Sequence, residues 1–216
     1  MVSRWLSAVS ATIALLVFSS SCATTRGELN LVPSIVENPA TGPAVRIGAV
    51  EDVRRFELAP KEPSTPSLKG GEIEDLAITS RAIGRKRNAY GKALGDILLP
   101  EGRTVAAVAR ESATNGLRRA GYRVLAPGDE GHDSAEPVDV RIEQFWAWVN
   151  PGFWAMHIEF EARLRLDTSA GPLRGVDEFR GYVRLGTQMA TTGAWRKTIL
   201  QGLEDLEAKI GELAAP

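Results

Sequence analysis

The chain has 216 residues, 44% of them hydrophobic and 25% charged, with a formal net charge of −1 at pH 7. That composition supports one domain with a substantial core, and its slightly acidic balance excludes a nucleic-acid binder that works by charge. The single cysteine, Cys22, excludes an internal disulfide.

In chain order, the first segment reads as an address rather than as part of the folded body. Arg4 supplies a minimal positive region, and residues 6–18 form an apolar run too short to span a bilayer as a mature helix. Ser19, Ser20 and Ser21 then stand directly before Cys22. This stretch resembles a bacterial lipoprotein signal, which is cut before a Cys that has been acylated, although Ser19 stands where such signals usually carry Leu. The alternative is an ordinary secretory signal with an incidental Cys. The resemblance implies that residues 1–21 are removed and that Cys22 carries the lipid. Each buried CH₂ contributes about 0.8 kcal/mol, so two or three acyl chains hold a protein to a membrane essentially permanently. Ala23 in place of Asp implies, by the same resemblance, the outer membrane, with the body facing the periplasm. No other segment is apolar enough to span a bilayer. Without residues 1–21 the chain keeps 25 Lys and Arg against 27 Asp and Glu.

Residues 22–43 are polar and hold Pro33, Pro39 and Pro43, which predicts a flexible tether to the body at 44–216. A first strand is expected over 45–50, where Val45, Ile47 and Ala49 alternate. Residues 57–99, with Pro60, Pro63, Pro66 and Gly70-Gly71, read as an irregular insert holding a possible short helix at 72–80 and a possible short strand at 97–99. Over 103–120 the apolar side chains Val105, Val108, Ala109, Ala113, Leu117 and Ala120 recur at helical spacing, and Gly121 ends the helix. A short strand at 122–125 and a polar loop at 126–137 follow.

The longest regular pattern spans 138–166. Val138, Val140 and Ile142 alternate with charged residues. So do Ile158, Phe160, Ala162, Leu164 and Leu166, and the turn chemistry of Asn150-Pro151-Gly152 between them makes a β-hairpin. A further strand is expected over 173–185. The last element is a helix over 192–213 with the stripe Trp195, Ile199, Leu203, Leu206, Ile210 and Leu213, and Glu207 falls beside that stripe. A half-apolar hairpin must be extended and covered. The predicted fold is therefore α+β: a mixed, largely antiparallel sheet with two helices packed on one face.

The strand at 45–55, the helix closing on Leu117-Arg118-Arg119-Ala120-Gly121-Tyr122, the strand opening on Val138-Asp139-Val140 and the C-terminal amphipathic helix resemble the YajG-like family of bacterial lipoproteins. More distantly they resemble the TolB-N-terminal-like fold. The likeness covers most of 45–213 and rests on element order with a few glycines and aspartates, while the 57–99 insert departs from it. The family supplies no catalytic residues to carry over.

No chemistry is spelled out. His132 lies in a polar loop and His157 on a strand beside Glu159, with no spacing that gathers either into a metal site, so neither a metal nor another cofactor is expected. Gly84 and Gly91-Lys92-Ala93 fail the phosphate-loop pattern in both spacing and the final hydroxyl. Arg81, Arg85, Lys86, Arg87 and Lys92 surround Tyr90 and form a candidate anion-binding surface. The alternative is a solvated loop balanced by Glu72, Glu74 and Asp75.

Phe145, Trp146, Trp148, Phe153 and Trp154 crowd the hairpin turn. Strict alternation puts Trp146 and Trp148 on the face of Val138 and Ile142, toward the core. It turns Phe145 and Phe153 outward, and the four together form the candidate partner-binding cluster. The expected function is that of a non-catalytic, lipid-anchored envelope protein that binds a protein partner as an accessory of a larger assembly. A periplasmic carrier of a lipid-like ligand is the alternative, and an enzyme of unidentified type the third reading.

Overall fold

The structure, a computed structural model, describes residues 26–88, 90–152, 155–168 and 175–212. Cys22, Phe153, Trp154 and Leu213 therefore lie outside the described residues. In chain order the elements are β1 (Gly27–Glu28), β2 (Ala44–Asp52), α1 (Leu76–Thr79), β3 (Ala82–Arg87), β4 (Ala93–Leu98), α2 (Val105–Arg119), β5 (Arg123–Val124), β6 (Glu136–Pro151), β7 (Met156–Thr168), β8 (Gly175–Thr187) and α3 (Thr192–Gly211). Together they make the expected α+β fold, a mixed eight-stranded sheet with α2 and α3 on one face.

The hairpin pattern dictates the centre of the sheet, since β6, β7 and β8 form an antiparallel meander in which β6 is the longest strand. Two strands share its other edge. β2 runs parallel to the first half of β6, with Val45 opposite Glu136 and Asp52 opposite Ile142. β3 runs parallel to the second half, with Gly84 opposite Ala147. The sheet thus forks, into β2–β5 on one side and β3–β4–β1 on the other.

Arg54 fills the fork. Its guanidinium donates to the carbonyls of Ala82 (2.6 Å), Phe145 (3.0 Å) and Thr79 (2.8 Å) and pairs with Asp52 at 2.7 Å. It satisfies carbonyls that neither β2 nor β3 can reach, as a buried polar junction requires.

A β-bulge corrects the expected facing of the aromatic residues. Ile142 pairs with Leu164 and Gln144 with the adjacent Arg163, so Glu143 is the extra residue and the alternation of β6 changes parity there. Beyond the bulge Phe145, Ala147 and Val149 face the helices, in one core with Val138, Val140 and Ile142. Phe145 packs edge-on against Phe160, ring centroids 5.0 Å apart. Trp146 and Trp148 turn to the opposite face and bury against Leu68, Ala82 and Leu98, with Phe56 edge-on to Trp146 at 5.9 Å.

That second core explains the insert. Residues 57–99 supply α1, β3 and β4, and the chain before β3 folds over the two Trp side chains.

Both long helices start at a threonine cap: Thr104 accepts from the Ala107 amide and Thr191 from the Ala194 amide, each at 3.2 Å. Gly121, at φ 90°, closes α2, with the Tyr122 amide reaching back to the Leu117 carbonyl at 3.0 Å. α3 lies so close to the sheet that a methyl at Gly181 would strike the Gly202 carbonyl, and one at Gly202 would strike the Phe160 ring. α2 and α3 meet where Gly116 admits the Ile210 side chain. β8 is an edge strand, and α3 blunts it: Asp205 accepts from the Tyr182 amide (3.0 Å) and Lys209 donates to the Arg180 carbonyl (2.8 Å).

The segment expected as a tether is docked from residue 26 onward. β1 pairs with β4, and Leu29 and Leu31 are buried in the main core. The Asn115 amide then clamps the backbone, donating to the Ser34 carbonyl (2.6 Å) and accepting from the Val36 amide (3.2 Å). Asn38 exchanges two hydrogen bonds with Val124, at 2.8 and 2.9 Å. Glu207 lies beneath this strap, buried, with Asn115 donating to it at 3.1 Å. It is not the solvent-facing residue that the stripe pattern implies.

Candidate partner-binding face

The insert covers only the part of the second sheet face above Trp146 and Trp148, which leaves β7 and β8 without a covering layer. Period-two alternation sends Glu159, Glu161, Arg163 and Arg165 of β7, with Arg180, Tyr182 and Arg184 of β8, to this face. The side chains interlock. Glu161 accepts from Arg163 at 2.6 Å and from Arg180 at 2.8 Å, and Glu159 accepts from the Tyr182 hydroxyl at 2.7 Å and from Asn150 at 3.0 Å. Although they belong to an open face, Glu159 and Glu161 are only 6% and 7% exposed, because their partners lean across them.

The electrostatics follow the contacts. Burial alone pushes the Glu161 carboxyl upward, but the hydrogen bonds and charges of Arg180 and Arg163 outweigh it and hold the group below its ordinary value. The bond to Glu161 raises Arg180 in turn. Burial and the Glu159 carboxylate both raise the Tyr182 hydroxyl, which therefore remains a donor. The result is a lattice of acceptors and cations already held in place by its own hydrogen bonds.

Beside the lattice, the loop over residues 53–66 and strands β6 and β7 enclose an open groove lined by Val53, Arg55, Ser64, Gln144, Glu161 and Arg163. Gln144 fastens the loop by donating to the Ser64 carbonyl at 2.8 Å. Arg55 is exposed on the rim with no hydrogen bond or ion pair among the described residues.

The residues singled out in the sequence do not assemble into this face. Phe145, Trp146 and Trp148 are buried in the two cores, so they offer no free surface, and Phe153 lies outside the described residues. The five cations around Tyr90 do not form one cradle, because only Arg85, Lys86 and Arg87 belong to β3, while Arg81 precedes the strand and Lys92 follows it, and their partners differ. Arg81 pairs with Glu28 at 2.7 Å and donates to the Leu99 carbonyl, while Arg85 is buried 3.3 Å from Asp96. Arg87 donates to Ser67 and to the Gly91 carbonyl, and burial and the nearby Arg85 charge hold its guanidinium below the ordinary value. Lys86 extends toward Gly27, and Lys92 is exposed in the β3–β4 turn. Cys22 is outside the described residues.

Among the described residues His132 hydrogen-bonds Asp133 at 3.1 Å and His157 contacts Arg184 at 3.3 Å, and no three His, Cys, Asp or Glu side chains are grouped to hold a metal. The Glu159–Glu161 lattice is what sequence reasoning missed. Its signal was present in the run of charges that alternates from Glu159 to Arg165.

No family model matches the chain, and no curated protein matches it. Two solved structures resemble it over most of their length. One, an uncharacterized protein, is 10% identical with a TM-score of 0.42, covering 88% of this chain and 97% of its own. The other, protein XCC0632 of Xanthomonas campestris, of the DUF330 family, is 12% identical with a TM-score of 0.44, covering 87% of this chain and 92% of its own.

Proposed function

We propose that this chain is a non-catalytic lipoprotein of the bacterial cell envelope, of the YajG-like kind, anchored at Cys22 to the outer membrane. On this reading it faces the periplasm and serves a larger assembly by binding a protein partner on the β7–β8 face. The observation that carries partner binding over the carrying of a lipid is the closed contact between helix and sheet. A carrier needs a continuous apolar cavity between those layers. Here α3 touches the sheet at Gly181, Gly202 and Phe160, with no room for even a methyl group. The open face supports a protein partner of complementary charge, because its carboxylates and guanidinium groups are already held in fixed positions and Arg55 stands unanswered at the groove.

Native mass spectrometry of the protein released from membranes tests this reading. The expected mass is that of a chain beginning at an acylated Cys22, with no stoichiometric lipid beyond the anchor. Cys22→Ser is expected to keep its signal uncleaved or to leave the membrane fraction. A second lipid retained at one per chain would favour the carrier, and a Cys22→Ser protein with wild-type fractionation would remove the anchor.

A further inference from the structure

One end of the sheet gathers the features that a lipid surface recognises. β6 runs from Glu136 at one end to Pro151 at the other, and Met156 of β7 pairs with Thr187 of β8 beside Pro151. β3 is parallel to β6 with Arg85 opposite Trp148, so the turn from β3 to β4 lies at that same end. β1 is parallel to β4 with Gly27 opposite Ile97, so β1 runs away from this end, with its first residue level with Gly84 and Ala147. Cys22 is four residues before Arg26, so an extended chain places it no more than about 14 Å away.

The loops at the two ends differ in charge. The described residues among 86–92, 150–157 and 186–197 at this end include Lys86, Arg87, Lys92, Arg196 and Lys197 and no Asp or Glu. Residues 126–136, the loop at the opposite end, hold four Asp or Glu and no Lys or Arg, although Arg123 pairs beside Ala44 at that same end. The first turn of α3, which starts at the basic end, has no carboxylate to neutralise the positive end of its dipole. Tyr90, 95% exposed, stands at the tip of the β3–β4 turn, and Met189, 68% exposed, follows β8. Lys86 of β3 and Met189 line one groove with Gly27 and Trp195, which brings β3, the start of α3 and the first described strand together.

We propose that this basic end is a second membrane contact: Tyr90 and Met189 enter the headgroup layer of an anionic phospholipid surface while Lys92, Arg196 and Lys197 lie over its phosphates. The inference rests on the reading of Cys22 as the lipid anchor. So short a leash keeps this end of the fold near the bilayer, where an anionic surface attracts each cation that comes within a screening length. A tyrosine with an apolar ring and a polar tip suits that interface. The acidic end and the β7–β8 face then remain accessible to a partner.

The test places an environment-sensitive fluorophore on Tyr90→Cys in the acylated full-length mature protein, where Cys22 is blocked by its lipid, and a control on Glu130→Cys at the acidic end. Both proteins are reconstituted on phosphatidylcholine vesicles with and without phosphatidylglycerol. The expected result is a blue shift at position 90 and quenching by headgroup-level lipid quenchers with phosphatidylglycerol present, none at position 130, and loss of the effect in Lys92→Glu/Arg196→Glu. A position-90 probe no more quenched than position 130, on vesicles that still float with the protein, overturns the inference and leaves the anchor standing. A protein that fails to float overturns both.

Discussion

Phe145 shows how a single inserted residue decides a side chain's surroundings. Strict alternation would expose it, but the bulge at Glu143 turns it under the helices against Phe160. Phe145→Ala is therefore expected to cost about 3–5 kcal/mol, whereas Ile35→Ala, at an exposed position of the strap, should change stability by no more than about 0.5 kcal/mol. Urea denaturation of the two variants checks the contrast, and equal midpoints would place Phe145 at the surface. Glu207 is the complementary case, a carboxyl that burial raises above its ordinary value despite Asn115 and Arg119. Its folded form keeps a proton over a pH range in which the unfolded chain, titrating near about 4.3, has released it. Stability therefore falls as pH rises through that range, and the contribution is unfavourable at neutrality. Glu207→Gln keeps the acceptor for Asn115 and should be more stable than wild type at neutral pH, with the gap closing toward pH 4. A less stable Gln variant at neutral pH would mean that Arg119, 3.6 Å away, holds an ionised carboxylate favourably.

At the scale of elements, what the sequence made legible follows from how strongly each pattern repeats. The meander and both long helices have many periods, and the observed α2, Val105–Arg119, and α3, Thr192–Gly211, fall within the predicted ranges 103–120 and 192–213. β3 and β4 are short, charged and glycine-bearing, and they become strands only because β6 offers an edge left free beyond β2. The bulge leaves no mark in composition. The strap did leave one, in the alternation of Leu29, Leu31 and Pro33, but the prolines around it read as a linker. The candidate site was the least legible part, since the partners of Glu159 and Glu161 come from β6 and β8 as well as from β7. The glycines of the helix–sheet contact give a direct test. Gly202→Ala drives a methyl into the Phe160 ring and should cost about 1–3 kcal/mol, seen as a lower Tm. Gly193→Ala, which meets only a Thr191 side chain at the start of α3, should be neutral or slightly stabilising. Equal losses in both would show that α3 does not touch the sheet as described.

At the scale of the whole molecule, the two faces of the sheet are covered to different extents. The strap is pinned across α2 by Asn115, the insert covers the Trp half of the other sheet face, and the ion lattice of β7 and β8 is left facing outward beside Arg55. A protein whose activity lay in an internal cavity would invert that arrangement, leaving space between its layers. The central claim is that a partner docks on the open side. Photocrosslinking in intact cells tests it most directly, with a photoreactive amino acid placed at position 55 or 184 on the open face and at position 204 on α3. The account expects one discrete protein adduct from positions 55 and 184 and none from 204; an adduct from 204 alone, or no adduct from either open-face position, would contradict it.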